Sequence, residues 1–228
     1  MQINDSILTT PSESPKVVLK KFFIVVFFSI AFAYIESTVV VYLRVIFHPS
    51  GFTFPMPVFG IGPLWRRLLL IEVGRETATI VLMLTGSWLF GENRRQRFAF
   101  FLTIFAVWDI FYYVWLKILL GWPASVMDWD ILFLIPAIWA GPVLAPLIIS
   151  VLMLAFAAVL LCCARLPKPT ALDLFIFTLA ALLVIVSLCV AGLHIADPDF
   201  QSHFNWLLFA AGPLSAVILF VKYLLKCK

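Results

Sequence analysis

Apolar runs of about 20 residues recur along this chain, and that length is what a helix needs to cross a hydrocarbon core about 30 Å thick. The runs cover residues 22–47, 68–90, 98–120, 143–164, 172–193 and 206–225. Composition leaves little room for another class. The chain is 64% hydrophobic and 12% charged, with mean hydropathy +1.09, whereas soluble domains carry about 25% charged residues. The fold expected is all-α: a polytopic membrane bundle of about six transmembrane helices. Residues 21–228 form its single integral membrane domain. Residues 1–20, Ser/Thr/Pro-rich at their start, read as a disordered cytoplasmic tail.

The fourth apolar region, from Ile131 to Ala164, is too long for one straight span. Gly141-Pro142 and Pro146 interrupt it, because proline removes a helix hydrogen bond. This predicts a half-helix over 131–140 ahead of a full span over 143–164. The string Trp139–Pro146 also echoes Ala211–Ala216. Either a faint internal repeat or a coincidence between apolar segments explains the echo.

Basic residues set the expected orientation. Lys16, Lys20 and Lys21 precede the first span, and Arg94, Arg95 and Arg97 join the second to the third. Arg165 and Lys168 join the fourth to the fifth, and Lys222, Lys226 and Lys228 close the chain. All fall on one side, which is therefore assigned to the cytoplasm together with both termini. Lys20-Lys21, the apolar stretch after them and Ala31-Phe32-Ala33 resemble a cleavable signal. The apolar run continues to Phe47, so the segment is read as an uncleaved span. Cys162, Cys163, Cys189 and Cys227 show no metal spacing and are expected as reduced thiols.

Against this background the charges inside spans stand out: Glu36, Glu72, Arg75, Glu76 and Asp109, with Arg44 and Lys117 two turns beyond Glu36 and Asp109. Each costs about 2.5–3.5 kcal/mol at the centre of a spanning helix, while each Leu, Ile, Phe or Val returns only about 0.3–0.6 kcal/mol. A rise of about 1.5 Å per residue puts the carboxylates of the first three spans in one slab of the outer half of the bilayer. Spacings of three and four residues put Glu72, Arg75, Glu76 and Thr79 on one helix face. Two readings fit. One is an outward-opening hydrated pocket that binds a solute or a proton. The other is an ion-pair network that only fixes helix register. Arg44 and Lys117 also suit snorkelling to the outer interface.

The outer loops carry His48, His194 and His203, with Asp128, Asp130, Asp197 and Asp199. His194, His203 and Asp128 are the candidate ligands for a divalent metal, the one cofactor these residues would take. Their spacing matches no zinc motif, and an exposed polar loop is the alternative. Asp130 is also placed to cap the half-helix. With no histidine inside a span core, haem ligation and an intramembrane histidine hydrolase of the ceramidase type find no support. No Walker sequence or GxGxxG loop is present, and no compact basic domain suggests nucleic acid.

The strings Trp108–Lys117, Gly121-Trp-Pro123, Asp130–Pro136 and Gly141–Pro146, with Ala33–Arg44 and Gly74–Thr79, resemble a bacterial family of uncharacterised multi-spanning inner-membrane proteins. The resemblance covers roughly residues 30–150 and implies a bacterial inner-membrane setting without implying an activity. Three functional readings follow from the residues. The first is binding or transport of a small polar solute, proton-coupled through Glu36, Glu76 or Asp109. The second is an outward-facing, metal-assisted enzyme acting on a lipid or lipid-linked substrate. The third is an accessory subunit whose polar face meets a membrane partner or a second copy of the chain.

Overall fold

The computed structural model describes residues 14–49, 51–56, 63–163 and 166–226. Six long helices run through it: α1 (Pro15–Phe47), α2 (Pro63–Phe90), α3 (Arg94–Leu120), α4 (Leu144–Cys162), α5 (Ala171–Leu193) and α6 (Trp206–Leu224). Five of them are long and apolar enough to cross a membrane, as a multi-pass membrane protein requires. The remaining helix, α2, is 28 residues long but is diluted by Arg66, Arg67, Glu72, Arg75 and Glu76. The outward faces are apolar: Phe27, Leu89 and Leu207 are 70%, 82% and 85% exposed. In water such a surface would aggregate, whereas lipid solvates it.

Local chemistry sets the helix ends. Pro15 opens α1, where its missing N–H is no loss. Residues 15–20, expected as part of a disordered tail, are thus the first turns of a helix; residues 1–13 lie outside the described residues. The Asn93 side chain accepts the Gln96 amide at 3.0 Å and caps α3. Gly121 ends α3 in the left-handed conformation, at φ 69°. Thr170 and Asp173 form a reciprocal capping box at the start of α5. Cys162 and Cys189 are free thiols, as expected, but Cys163 is disulfide-bonded, and Cys227 lies outside the described residues.

Helix α3 is the hub, packed against α1, α2 and α4, while α5 and α6 pair with each other. One core joins Val25, Phe32 and Ala33 of α1 to Met83 of α2 and Phe100, Ile104 and Trp108 of α3. Arg95, at the start of α3, donates to the Leu160 carbonyl at 2.6 Å and to the Cys163 carbonyl, closing the last turn of α4.

The segment expected as a half-helix is an antiparallel hairpin, β1 (Trp129–Phe133) and β2 (Trp139–Pro142). Its pairing runs Trp129↔Pro142, Asp130↔Gly141, Ile131↔Ala140 and Phe133↔Trp139, with an irregularity between Ile131 and Phe133. A short apolar run cannot be assigned to helix or strand by periodicity, and here Pro136 divides it into two pieces of strand length. Open sheet edges survive within a bilayer only when protein covers them. Helix α5 packs on β2, and Leu188, Ala191, Phe200, Phe204 and Phe209 share a core with Trp129 and Ala140. A Cβ on Gly192 would collide with the Ile138 carbonyl, so α5 reaches the hairpin only because a glycine stands there.

The echo between residues 139–146 and 211–216 is not structural. Gly141-Pro142 ends a strand, whereas Gly212-Pro213 lies inside α6 against the Ala180 carbonyl of α5.

Candidate functional site

Glu36 and Arg44 of α1, Arg66, Glu72, Arg75 and Glu76 of α2 and Asp109 of α3 meet around one cavity of about 530 Å³. It lies between these helices, the hairpin, and α4 and α5, and its size falls within the range of ligand pockets, about 300–1,000 Å³. Its lining holds the carboxylates of Glu36, Glu72, Glu76, Asp109 and Asp130 and the guanidiniums of Arg44, Arg66 and Arg75. Phe105, Trp108, Phe133 and Trp139 supply aromatic wall, with Phe133 in edge contact with Trp139 at 5.4 Å.

The five carboxylates divide into two kinds. Arg75 is shared between two of them, one positive charge against two carboxylates. Its Nη1 contacts Glu36 Oε1 on the neighbouring helix, and its Nη2 and Nε reach Glu72 Oε2 at 2.8 and 2.9 Å. The Thr79 hydroxyl donates to the other Glu36 oxygen at 3.2 Å. Asp130 is neutralised by Arg44, with Nη2 to Oδ1 at 2.9 Å and the two side chains 8% and 2% exposed. Arg44 is also held between the rings of Phe52 and Trp122, at 4.0 and 3.8 Å.

Glu76 and Asp109 make no direct ion pair among the described residues, although Arg75 lies near enough to Glu76 to act on it electrostatically. Both oxygens of Glu76 accept the Leu134 amide, at 3.1 and 2.9 Å, which closes an open backbone donor just past β1. Asp109 Oδ2 accepts the Ser150 hydroxyl of α4 at 2.8 Å. Each is buried, and each is matched to a neutral donor rather than a cation.

Several buried polar atoms of the lining have no hydrogen-bond partner among the described residues: Arg44 Nη1, Asp130 Oδ2, Trp108 Nε1 and Trp139 Nε1. Orphaned donors and acceptors facing a cavity are the groups that a ligand or ordered water satisfies. His48, just beyond the end of α1, lines the same cavity. Burial, with Arg44 beside it, holds its imidazole below the usual histidine pKa.

The sequence-derived candidates fall as follows. Glu36, Glu72, Arg75, Glu76, Asp109 and Arg44 all line the cavity. Arg44 does not snorkel: it is 7% exposed and paired to the hairpin. Lys117 is not among the lining residues; its ammonium donates to the Gly121 and Pro123 carbonyls at 3.2 and 2.8 Å, at the end of its own helix. Asp130, expected as a helix cap, is instead the counter-ion of Arg44. Together with Trp108, Trp139 and Ser150 it is a cavity residue that pattern reading misses. The available signal is an acidic residue at the edge of an apolar run.

A second polar group sits in the loop between α5 and α6. His194 Nδ1 lies 2.7 Å from Asp197 Oδ2, and His203 Nε2 lies 3.8 Å from the same oxygen. The two imidazoles stack at 3.9 Å with planes 8° apart. These three residues form a group able to hold a metal ion. Asp128, expected as the third ligand, is not part of it; its Oδ2 accepts the Ala124 and Ser125 amides at 2.7 and 3.2 Å and shapes its own turn. Asp197, which no motif singles out, takes its place.

Comparison with protein-family models, curated proteins and solved structures finds no match, so the site is read from its geometry alone.

Proposed function

We propose that this protein binds a small polar solute in the α1–α3/hairpin cavity and moves it across the membrane. The setting proposed with it is a six-span protein of a bacterial inner membrane, with both termini cytoplasmic. The observation that carries the reading is the pair Glu76 and Asp109, two buried carboxylates facing one cavity whose hydrogen bonds come from neutral donors, with Arg75 acting on Glu76 only from beyond direct contact. Each is free to exchange a proton or a cationic group without breaking an ion pair. Glu36, already matched to Arg75, is the weaker candidate for that exchange. Aromatic walls and unpartnered Trp and Arg donors supply the remaining contacts for a solute that is polar in part and apolar in part.

The test is ligand-dependent thermal stability of the purified protein in nanodiscs, screened across small amines, amino acids, carboxylates and sugars over a range of pH. Wild type is run beside Glu76→Gln and Asp109→Asn, and hits are followed by uptake into proteoliposomes. A solute class that stabilises wild type, fails with either variant and is taken up with protons supports the reading. If no solute or pH change moves wild type and Glu76→Gln merely lowers its melting temperature, the cluster only fixes helix register.

One observation favours a second reading. The His194–Asp197–His203 group suits a metal-assisted enzyme acting on a lipid or lipid-linked substrate. None of those three residues is among the cavity lining, so metal and cavity do not combine into one active site, and transport remains the preferred reading.

A further inference from the structure

We infer that His194, Asp197 and His203 bind one divalent transition-metal ion, zinc by chemical class, and that the ion staples the end of α5 to the start of α6. The inference stands apart from solute binding, because it concerns residues outside the cavity.

Donor geometry carries it. A tetrahedral ion with ligands at about 2.1 Å holds its donor atoms about 3.4 Å apart. Here Nδ1 of His194 is 2.7 Å and Nε2 of His203 is 3.8 Å from the same Asp197 oxygen, bracketing that value. The two rings are stacked 3.9 Å apart and nearly parallel, so binding requires one imidazole to turn until its in-plane lone pair meets the ion. All three donor atoms lie within 4.8 Å of one another. Asp199 Oδ1, 3.6 Å from His203 Nε2, or a water would complete the shell. Two imidazoles and one carboxylate select zinc or its first-row neighbours over calcium or magnesium, which prefer all-oxygen shells. The donors are half-buried rather than sealed, so an ion can enter from solvent.

The loop that carries these donors is already braced. The Ile195 carbonyl accepts the Met56 amide at 2.8 Å, and Phe200 stacks on Phe54 at 5.3 Å and meets Trp129 edge-on at 4.9 Å. Met56 and Phe52, in the segment so held, line the cavity. An ion between His194 and His203 would therefore tighten a loop that leans on the rim of the cavity and on the base of the hairpin.

The experiment uses the full chain in detergent, stripped with chelator and reloaded with zinc or cobalt(II). Metal content, melting temperature and the visible absorption of the cobalt form are measured for wild type, His203→Ala, Asp197→Asn and Asp128→Asn. The expected result is one ion per chain in wild type and in Asp128→Asn, a tetrahedral cobalt spectrum, and a higher melting temperature on loading. Affinity should fall by more than about 100-fold in His203→Ala and Asp197→Asn, since outer-shell changes alone cost about 10–100-fold. No retained zinc in wild type overturns the inference, as does equal retention in all four proteins. Loss of zinc in Asp128→Asn with retention in Asp197→Asn overturns the ligand set. None of these readouts depends on whether a solute binds in the cavity, so failure of solute binding leaves the metal inference standing.

Discussion

The two ends of the chain solve the same packing problem in different ways. Helices α5 and α6 pair through apolar and small residues, and their ionisable partners sit near one end, where Asp173 meets Lys222 at 2.6 Å and Tyr223 at 2.9 Å. Helix α6 comes against α5 where Gly212 leaves room for the Ala180 carbonyl, the close approach that small residues give to membrane helices. Helices α1 to α3 instead place charges in mid-helix and join them to one another and to a hairpin. The α5–α6 pair shows that this bundle can pack two helices without mid-span charge. The charges of α1–α3 are therefore not what helix packing as such demands, and their concentration around one cavity is the stronger argument that they meet a ligand.

The sharpest way to break this contrast is to remove one member of the Arg44–Asp130 pair. Both side chains are buried, so a single Arg44→Met or Asp130→Asn substitution leaves a partner without its match. Such a loss costs about 3–5 kcal/mol. Replacing both with apolar residues removes the stranded charge, so the double variant should lie closer to wild type than Arg44→Met alone. Reversible unfolding in mixed micelles measures all three. A double variant as unstable as the worse single one would mean that the pair fixes the hairpin by more than charge matching.

The corresponding probe of the apolar half is Gly212→Leu. A Cβ there would lie 2.6 Å from the Ala180 carbonyl oxygen and 2.7 Å from Val184 Cγ2, so α5 and α6 must separate. The expected loss is about 1–3 kcal/mol, the usual range for overpacking. Because Val184 also lines the cavity, solute binding should weaken together with stability, but far less than in Glu76→Gln. If Gly212→Leu instead abolished binding while leaving stability unchanged, the α5 wall would be part of the solute contact and not only of the helix pair.

Glu76→Gln should divide stability from function. The glutamine oxygen can still accept the Leu134 amide, so the hairpin keeps its anchor and the stability change should stay within about 1 kcal/mol. The response to solute or pH should disappear. A variant that keeps the full response while unfolding more easily would assign Glu76 to the hairpin alone.

Much of this arrangement is legible in the sequence because lipid imposes a simple rule: apolar length means span, and charge within a span means a partner or a function. That rule places a long helix on each apolar run and groups Glu36, Glu72, Arg75, Glu76 and Asp109, which line one cavity. It fails where tertiary partners decide. Residues 131–140 have the length of a half-helix, but Glu76 and α5 stabilise strand edges that no local pattern reveals. Asp130 reads as a cap because its counter-ion, Arg44, lies far away in sequence. Asp197 replaces Asp128 among the candidate metal ligands because the chain folds back between His194 and His203, and spacing alone does not report such a fold.

Lys117 gives the smallest expected effect and the cleanest test of that rule. By sequence it belongs with the other intramembrane charges, eight residues beyond Asp109 on the same helix stripe. In the fold it is exposed and donates to the Gly121 and Pro123 carbonyls, beyond the cavity lining. A cation at a helix C-terminus contributes about 0.3–1 kcal/mol, and less once solvent screens it. Lys117→Gln should therefore change melting by very little and leave solute response, proton dependence and metal content at wild-type levels. If it abolished the solute response as Glu76→Gln is expected to, the cavity would extend to the end of α3, and the boundary between charges that face a ligand and charges that cap a helix would have to move with it.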